Sequence, residues 1–575
     1  MLPTSHSTAI LVNDVTAARG FALEEWESWH QYTTYFLEPV LALDAAALRL
    51  VESGIVVCAW TGRGKLVWRT AEGVKSTAAG LSALAGGTQV LSIRTDASVD
   101  PFVFECARQA AWFTASEEKV FNASSQPLAP CVRGFVGECR FESSGRMLTV
   151  YPMVKLDATG VMQVVLRMIS PDRDVPLDEF LREYRGANSL RFDAVFAPAG
   201  LVKAVMRRDV FSPELVGRPS RRRRRHIEAG FRSLVDDHTQ TFAGGDFSFS
   251  LAPLYRKDLA PRISETGTPV LARVESDEPG YMFREFAGTL VASTAHTLSG
   301  RANPLAAKRR RTLGEFWMGR PHIYVTRHQD QKKTAEENER SHGVAFGCLL
   351  AGVVCDTDRL ALAFLPRSAR LFQDFGWYVS RQATLMVWAN TGLRQLSERA
   401  DLNRGHLIYE QHAVAEALDR GYILHRRALQ LALGARTTSE ALRTQEDLIR
   451  HEQALEDATP YGELQDLLRL GWRAMGTKAL RHLTDEAFEV RYRRNLLQEE
   501  RRTGRWRWTI PTVLGFLASL GFSQQVLQPL WKWRAWPLPS DPHLADLVLV
   551  LATVVFFAGL LGILCFGLFL ARRRS

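Results

Sequence analysis

A charge-free apolar run near the C-terminus constrains this chain more than any other feature. It extends from Leu547 to Leu570 and reads LVLVLATVVFFAGLLGILCFGLFL. At about 1.5 Å per residue, a helix of this length exceeds the roughly 30 Å hydrocarbon thickness of a bilayer. A buried helix of an ordinary globular domain rarely needs apolar residues on every face. The run therefore predicts a membrane span, and the basic end Arg572, Arg573 and Arg574 predicts that the tail faces the cytosol.

A second, weaker apolar segment precedes this run, from about 509 to 527. It contains Pro511 near its start, and tryptophans flank it on both sides, as in the interfacial layer around a membrane helix. The N-terminus carries no signal peptide, so the large N-terminal body is expected to stay in the cytosol. If the N-terminal body and the C-terminal tail both face the cytosol, the chain must cross the membrane an even number of times. We therefore predict a two-helix transmembrane hairpin with spans at about 509–527 and 547–570, in a bacterial inner membrane.

The chain has 575 residues, and the part before the predicted hairpin is too long to form a single hydrophobic core. Short β-rich runs such as GIVVCAW and MLTVYPMV alternate with helical stretches in the first part, and PHIYVTRH, GVAFGCLLAGVV and LALAFL are expected to be strands of a second mixed region. Ala-, Leu-, Arg- and Glu-rich helical patterns dominate after about Tyr378. The fold class that follows is a multidomain membrane protein. We predict an N-terminal α/β or α+β domain at 1–210, a second mixed region at 211–377, a helical stalk at 378–506 and the transmembrane hairpin at 507–571.

Composition and charge narrow the class of protein. An apolar share of 46% with 23% charged residues is typical of folded protein rather than a disordered chain. The seven cysteines form no Cys-x-x-Cys pair, which argues against a zinc ribbon or a disulfide scaffold. The net charge is +10 and includes the run Arg221–Arg225, which suits either phosphate contact or a solvated linker. The role of this run stays open, and nucleic acid is the less favoured partner.

The C-terminal arrangement resembles the CorA-type metal-ion transporter family. In that family the first span closes on a Gly-Met-Asn signature, and here Pro511 is followed at a similar interval by Gly521, Phe522 and Ser523. The resemblance covers the last seventy to a hundred residues. It implies a homo-oligomer of five copies in a lipid bilayer, with the first span around a central pore. Magnesium or another divalent cation would be the transported ion, and no other cofactor is expected.

The sequence departs from the family signature at the pore mouth. Phe522 and Ser523 replace the family's Met and Asn, and the loop between the spans carries Lys532 and Arg534 where acidic residues are usual. Repeated around an axis, these cations would repel a divalent ion. Asp541 is the nearest compensating carboxylate. Ordinary magnesium import therefore conflicts with the charge of this loop.

A polar stripe along the first predicted span admits two interpretations. Thr512, Ser519 and Ser523 lie seven and four residues apart, so they share one side of a helix and would line a pore. Gly515, Ser519 and Ser523 also form a small-xxx-small pattern that lets membrane helices pack closely. Both interpretations stay open.

Two functional hypotheses follow. The first is a CorA-like oligomeric membrane protein, a divalent-cation channel or a divergent relative gated by its cytosolic domain. The second is a membrane-anchored sensor or effector, for example in stress or phage defence, whose cytosolic domains recognise a ligand or partner while the hairpin tethers or oligomerises. The usual catalytic motifs are missing from the sequence, so we expect no enzyme, although an enzymatic role for residues 1–375 stays open.

Overall fold

A computed structural model gives the architecture of the chain. It describes residues 20–36, 42–62, 64–70, 72–83, 89–93, 99, 101–121, 130–192, 194–198, 201, 271–275, 281–298, 317, 319–370, 372–398, 404–435, 437–457, 459, 461–522, 529, 533–534, 537, 540–549, 551–553 and 555. By packing density these residues divide into two units. The first comprises 1–434 with 443–487, and the second comprises 435–442 with 488–575.

Strands in the first unit form one large mixed sheet. Their bounds are β1 Ala22–Tyr35, β2 Cys58–Thr61, β3 Lys65–Thr70, β4 Gly73–Ala83, β5 Gln89–Ile93, β6 Cys131–Phe135, β7 Cys139–Ser143, β8 Arg146–Asp157, β9 Val161–Ile169, β10 Val175–Pro176, β11 Arg191–Phe192, β12 Ala194–Pro198, β13 Leu271–Glu275, β14 Tyr281–Met282, β15 Pro321–His328, β16 Phe375–Val379 and β17 Thr384–Trp388. The main order across the sheet is β16-β17-β15-β1-β9-β8-β6-β2-β3-β4-β5, and β11 pairs with β14 separately.

Helices cover both sides of this sheet and continue beyond it. Their bounds are α1 Leu43–Ser53, α2 Pro101–Phe121, α3 Phe283–Leu298, α4 Ala335–Ala351, α5 Asp358–Phe364, α6 Asn390–Glu398, α7 Arg404–Gly434, α8 Thr438–Glu456, α9 Gly462–Ala474 and α10 Thr477–Phe522. A short helical turn Leu177–Glu179 continues as a π-helical turn Phe180–Arg185. The described part of the chain is therefore a mixed α/β fold followed by long helices.

The central strand β1 organises the core because its side chains alternate between the two sides of the sheet. Trp26, Tyr32 and Phe36 point to one side and join an apolar cluster that includes residues of α1, α3 and α4. We call this side the apolar face. Trp29 points to the opposite side and packs with residues of α2, α7 and α9. We call that side the charged face, for the reason given below.

One predicted strand region is a helix instead. The sequence GVAFGCLLAGVV was expected to form a strand, but 343–351 lies within α4, which crosses over between the parallel strands β15 and β17. A capping box fixes the start of α4: the Thr334 side chain accepts from the Glu337 backbone N–H, and the Glu337 side chain accepts from Thr334. LALAFL, also expected as a strand, lies largely in α5. The strand predicted at PHIYVTRH is confirmed as β15.

The predicted transmembrane hairpin is wrong for the residues that the structure describes. None of the helices placed there is both long enough and apolar enough to cross a bilayer. The first proposed span begins within α10, which includes 509–522, and the remainder of that span lies outside the described residues. The fold class of a two-span membrane protein and the multi-pass membrane localisation are therefore corrected.

The second proposed span, 547–570, lies largely outside the described residues. Helical backbone is described at 542–549, 551–553 and 555. Asp541 marks the start of this helix, since its carboxylate accepts from the backbone N–H of His543 at 3.0 Å. The four-part domain division remains a prediction.

Candidate functional site

Helix α7 presents a stripe of polar side chains to the interior. His412, Glu416 and Asp419 lie four and three residues apart, so they share one side of the helix. All three are at most 2% exposed. Small residues such as Ala413, Ala415 and Ala417 surround them in the sequence, which lets the helix approach the sheet closely. α7 therefore carries two carboxylates into an interior where charges are costly unless they are paired.

Glu416 lies between two cations on neighbouring strands. Arg133 on β6 and Lys155 on β8 are directly opposite each other in the antiparallel register. Both nitrogens of the Arg133 fork donate to the Glu416 carboxylate, at 2.9 and 2.8 Å, and Lys155 donates to it at 2.6 Å. Glu117 on α2 pairs with the same two cations. The four groups form one ionic cluster in which Arg133 and Glu416 are buried and make a bidentate pair, while Lys155 and Glu117 are largely buried.

Asp419 pairs with the strand on the other side of β1. Arg320, just before β15, donates through Nε to the Asp419 carboxylate at 3.1 Å, and His322 Nε2 lies 3.1 Å from its second oxygen. A second nitrogen of Arg320 donates to the backbone carbonyl of Ser380 at 2.8 Å. Asp419 thus joins α7 to the start of β15.

His412, one helical turn before Glu416 on α7, is a neutral group. Its Nδ1 lies 3.0 Å from the Tyr324 hydroxyl, its Nε2 lies 3.5 Å from Glu416, and its ring centre is 4.0 Å from that of Trp29. Burial lowers the pKa of His412 to about 4, against the opposing pull of Glu416. The imidazole is therefore uncharged at neutral pH.

Together these groups form a continuous layer between the sheet and α7. A further pair, Asp157 with Arg420 at 2.8 Å, extends it along the same helix. We call this layer the charged belt. Its members are Glu117, Arg133, Lys155, Asp157, Arg320, His322, His412, Glu416, Asp419 and Arg420.

Glu416 and Lys155 are each held in the charged state by the ions around them. Burial alone would raise the pKa of Glu416, but the charges of Arg133 and Lys155 outweigh it and hold that pKa well below its usual range. Burial and Arg133 lower the pKa of Lys155, whereas Glu117 and Glu416 raise it, and the net shift is upward. Each charge therefore depends on its partners for its ionised form.

Several polar atoms beside the belt make no hydrogen bond. Gln31 and Thr33 on β1 are fully buried, and both ends of the Gln31 amide and the Thr33 hydroxyl are unpartnered. The same holds for one nitrogen of the Arg320 fork and for Nδ1 of His322. Unsatisfied buried polar groups are costly, so this part of the interior has hydrogen-bonding capacity beyond the ion pairs.

The distribution of charge decides what the belt can do chemically. The sheet contributes the cations Arg133, Lys155 and Arg320, and α7 contributes the carboxylates Glu416 and Asp419 that neutralise them. This donor set suits an anion such as a carboxylate or phosphate. Across the described residues, no cluster of three or more His, Cys, Asp or Glu side chains is arranged to hold a metal ion.

The residues proposed from the sequence lie elsewhere. Thr512, Ser519, Gly521 and Phe522 are on the last part of α10. Arg534 and Asp541 are exposed. Ser523, Lys532 and the run Arg221–Arg225 fall outside the described residues. A pore role for these α10 residues would need a membrane span, and the helices of the described residues provide none.

One feature of the sequence indicates the α7 side of the charged belt. His412, Glu416 and Asp419 recur at helical spacing among Ala, Val and Leu in HAVAEALD, which indicates polar groups on the buried side of a helix. Their partners have no such signal, because Arg133 and Glu416 are 283 residues apart in the chain.

Comparison of the chain with protein-family models, curated proteins and solved structures gives no match. The CorA resemblance is therefore neither supported nor opposed by relatives.

Proposed function

We propose that this protein is an anion-responsive sensor in which α7 is the moving element. The observation that carries the proposal is the pairing of Glu416 and Asp419, both on α7, with three cations of the sheet. In this arrangement the two carboxylates occupy the position that a free anion would take. An anionic group from a ligand or partner would compete with them and release α7.

The contrast between the two faces of the sheet supports this reading. On the apolar face, α1, α3 and α4 pack through a large cluster of apolar side chains. On the charged face, α7 contributes to an apolar cluster with α2 and α9, and it also docks through buried ion pairs, which seldom add stability over an apolar contact of equal volume. Ion pairs instead fix one arrangement and can exchange partners. The charged face is therefore the better candidate for a change of state.

The ligand class follows from the belt's own chemistry. If α7 leaves, Arg133, Lys155 and Arg320 lose two of their carboxylate partners, while Glu117 stays on α2. The exposed site then carries a net positive charge and the unpartnered amide of Gln31. A carboxylate or phosphate group satisfies such donors well. The proposed role is recognition, without a catalytic step.

Native-state proteolysis tests the proposal. α7 contains the trypsin sites Arg420, Arg426 and Arg427, which can be cut only when the helix opens. We expect inorganic phosphate to accelerate cleavage there severalfold relative to chloride at equal ionic strength. Arg340 on α4 serves as the reference site, because α4 packs on the apolar face.

A matched variant separates anion recognition from general salt effects. It carries Glu117→Leu, Arg133→Met, Lys155→Met and Glu416→Leu, and we call it the apolar variant. We expect its α7 to resist trypsin with or without phosphate. If wild-type α7 is cut only at the rate of global unfolding, and phosphate leaves that rate unchanged, the proposed function is wrong.

A further inference from the structure

Helix α10 carries an exposed apolar stripe at heptad spacing. Leu483, Val490 and Leu497 are seven residues apart and are 53%, 65% and 54% exposed. Thr484, Phe488 and Asn495, on an adjacent side of the same helix, are buried. A seven-residue repeat of large apolar side chains is typical of a seam between two helices. The exposed stripe therefore has the spacing of a helix–helix contact.

The charges around the stripe are divided at Val490. Asp485, Glu486 and Glu489 precede it, and Arg491, Arg493 and Arg494 follow it. A parallel, unstaggered pair of these helices would place acid beside acid and base beside base. An antiparallel pair about a two-fold axis at Val490 would place the acidic half of one helix beside the basic half of the other.

We propose that α10 is a self-association surface whose partner is the same segment of a second copy in antiparallel orientation. Two-fold symmetry about Val490 places Leu483 opposite Leu497 of the second copy. It also places Glu486 close to Arg494 of that copy, since both lie within about 40° of the Val490 direction. Such an isologous contact closes on itself, so it yields a dimer. This inference stands independently of the proposed anion response.

Sedimentation velocity of the full chain tests the contact. The seam is short, so we expect dimers with a dissociation constant on the order of micromolar. Val490→Lys should give a monomer, because it places two like charges at the axis. Tyr492→Lys is the matched control: Tyr492 is 41% exposed and lies on a different side of the helix. It should leave the dimer intact.

Charge exchange and cross-linking test the orientation. Glu486→Arg should weaken the dimer at least tenfold, and adding Arg494→Glu should restore it. A mixture of Leu483→Cys and Leu497→Cys proteins should form the mixed disulfide, and Leu483→Cys alone should form none. A wild-type monomer at 100-fold the expected dissociation constant, an assembly unaffected by Val490→Lys, a five-copy ring, or a Leu483→Cys homodimer disulfide would each overturn the proposal.

Discussion

Glu416 shows how a single side chain organises the interior. It accepts three hydrogen bonds from Arg133 and Lys155 while 2% exposed, so its charge compensates two buried cations. Removing one member of such a group leaves an uncompensated charge in a low-dielectric interior. The loss of unfolding free energy on substitution here is therefore set mainly by the buried charge that is left without a partner, and less by the hydrogen bonds that are removed.

We expect Glu416→Gln to lower the free energy of unfolding by about 3 kcal/mol, since Glu117 still pairs with both cations. Urea unfolding followed by fluorescence measures the change. Glu336→Gln is the control, because Glu336 forms a largely exposed pair with Arg340 on α4 and should change stability by less than about 0.5 kcal/mol. Equal losses in the two variants would contradict the account of the belt.

His412 predicts a dependence of stability on pH. Its pKa falls from 6.5 to about 4 on folding because it is buried, so between these values the unfolded chain binds a proton that the folded protein does not. Stability is therefore full above about pH 6.5 and is lost as pH falls towards 4. The contribution is about 1.4 kcal/mol per pH unit for one histidine. Burial likewise lowers the pKa of His30, His328 and His425, to values of about 3 or 4.

The variant His412→Asn isolates this contribution. We expect the slope of unfolding free energy between pH 6 and 5 to decrease by about 1.4 kcal/mol per pH unit, whatever the variant's stability at pH 7. Denaturant titrations at each pH give the slope. His482→Asn, at an exposed position on α10, should leave it unchanged. A wild-type slope in His412→Asn would mean that His412 is not kept neutral by the fold.

At the scale of elements, the pattern of apolar residues predicted several strands well and misjudged one region. β8 and β15 have the alternating or continuous apolar character expected of sheet strands. The region of α4 has a run of small and apolar residues that fits a buried strand equally well. The capping box formed by Thr334 and Glu337 indicates a helix, but it lies several residues before the apolar run. Local pattern alone was therefore insufficient where a run is short and apolar on several faces.

Close packing of α4 on α5 gives a prediction for glycine. A Cβ at Gly347 would lie 2.0 Å from the backbone oxygen of Ala361, so the two helices must separate to admit it. Gly347→Ala should therefore lower the unfolding free energy by about 1–3 kcal/mol, although alanine favours helix. In Gly343→Ala, the new Cβ would meet only the side-chain ends of Leu362 and Leu365, at 3.3 Å. That variant should be near neutral, and urea titration compares the two; a neutral Gly347→Ala would contradict the packing of α5.

At the scale of the whole molecule, composition indicated a folded protein with strands and long helices, and the structure agrees. At the C-terminus, the first proposed span begins as a continuation of α10, which starts at Thr477 and carries charged residues up to Arg507, whereas most of 547–570 lies outside the described residues. The belt lay beyond sequence reasoning for a different reason. Its ion pairs join β6, β8 and β15 to α7, and such contacts depend on sheet order, which no local pattern specifies.

Native-state hydrogen exchange of α7 tests the central claim most directly, because it measures the free energy of opening for each helix separately. The account predicts that amides between Tyr409 and Leu424 exchange through an opening that costs less than global unfolding, and that inorganic phosphate lowers this cost. In the apolar variant the same amides should exchange only through global unfolding, with the same opening free energy as the amides of β1 and β9. If wild-type α7 exchanges together with β1 and β9, with or without phosphate, then α7 is a fixed part of the core and the sensor account is wrong.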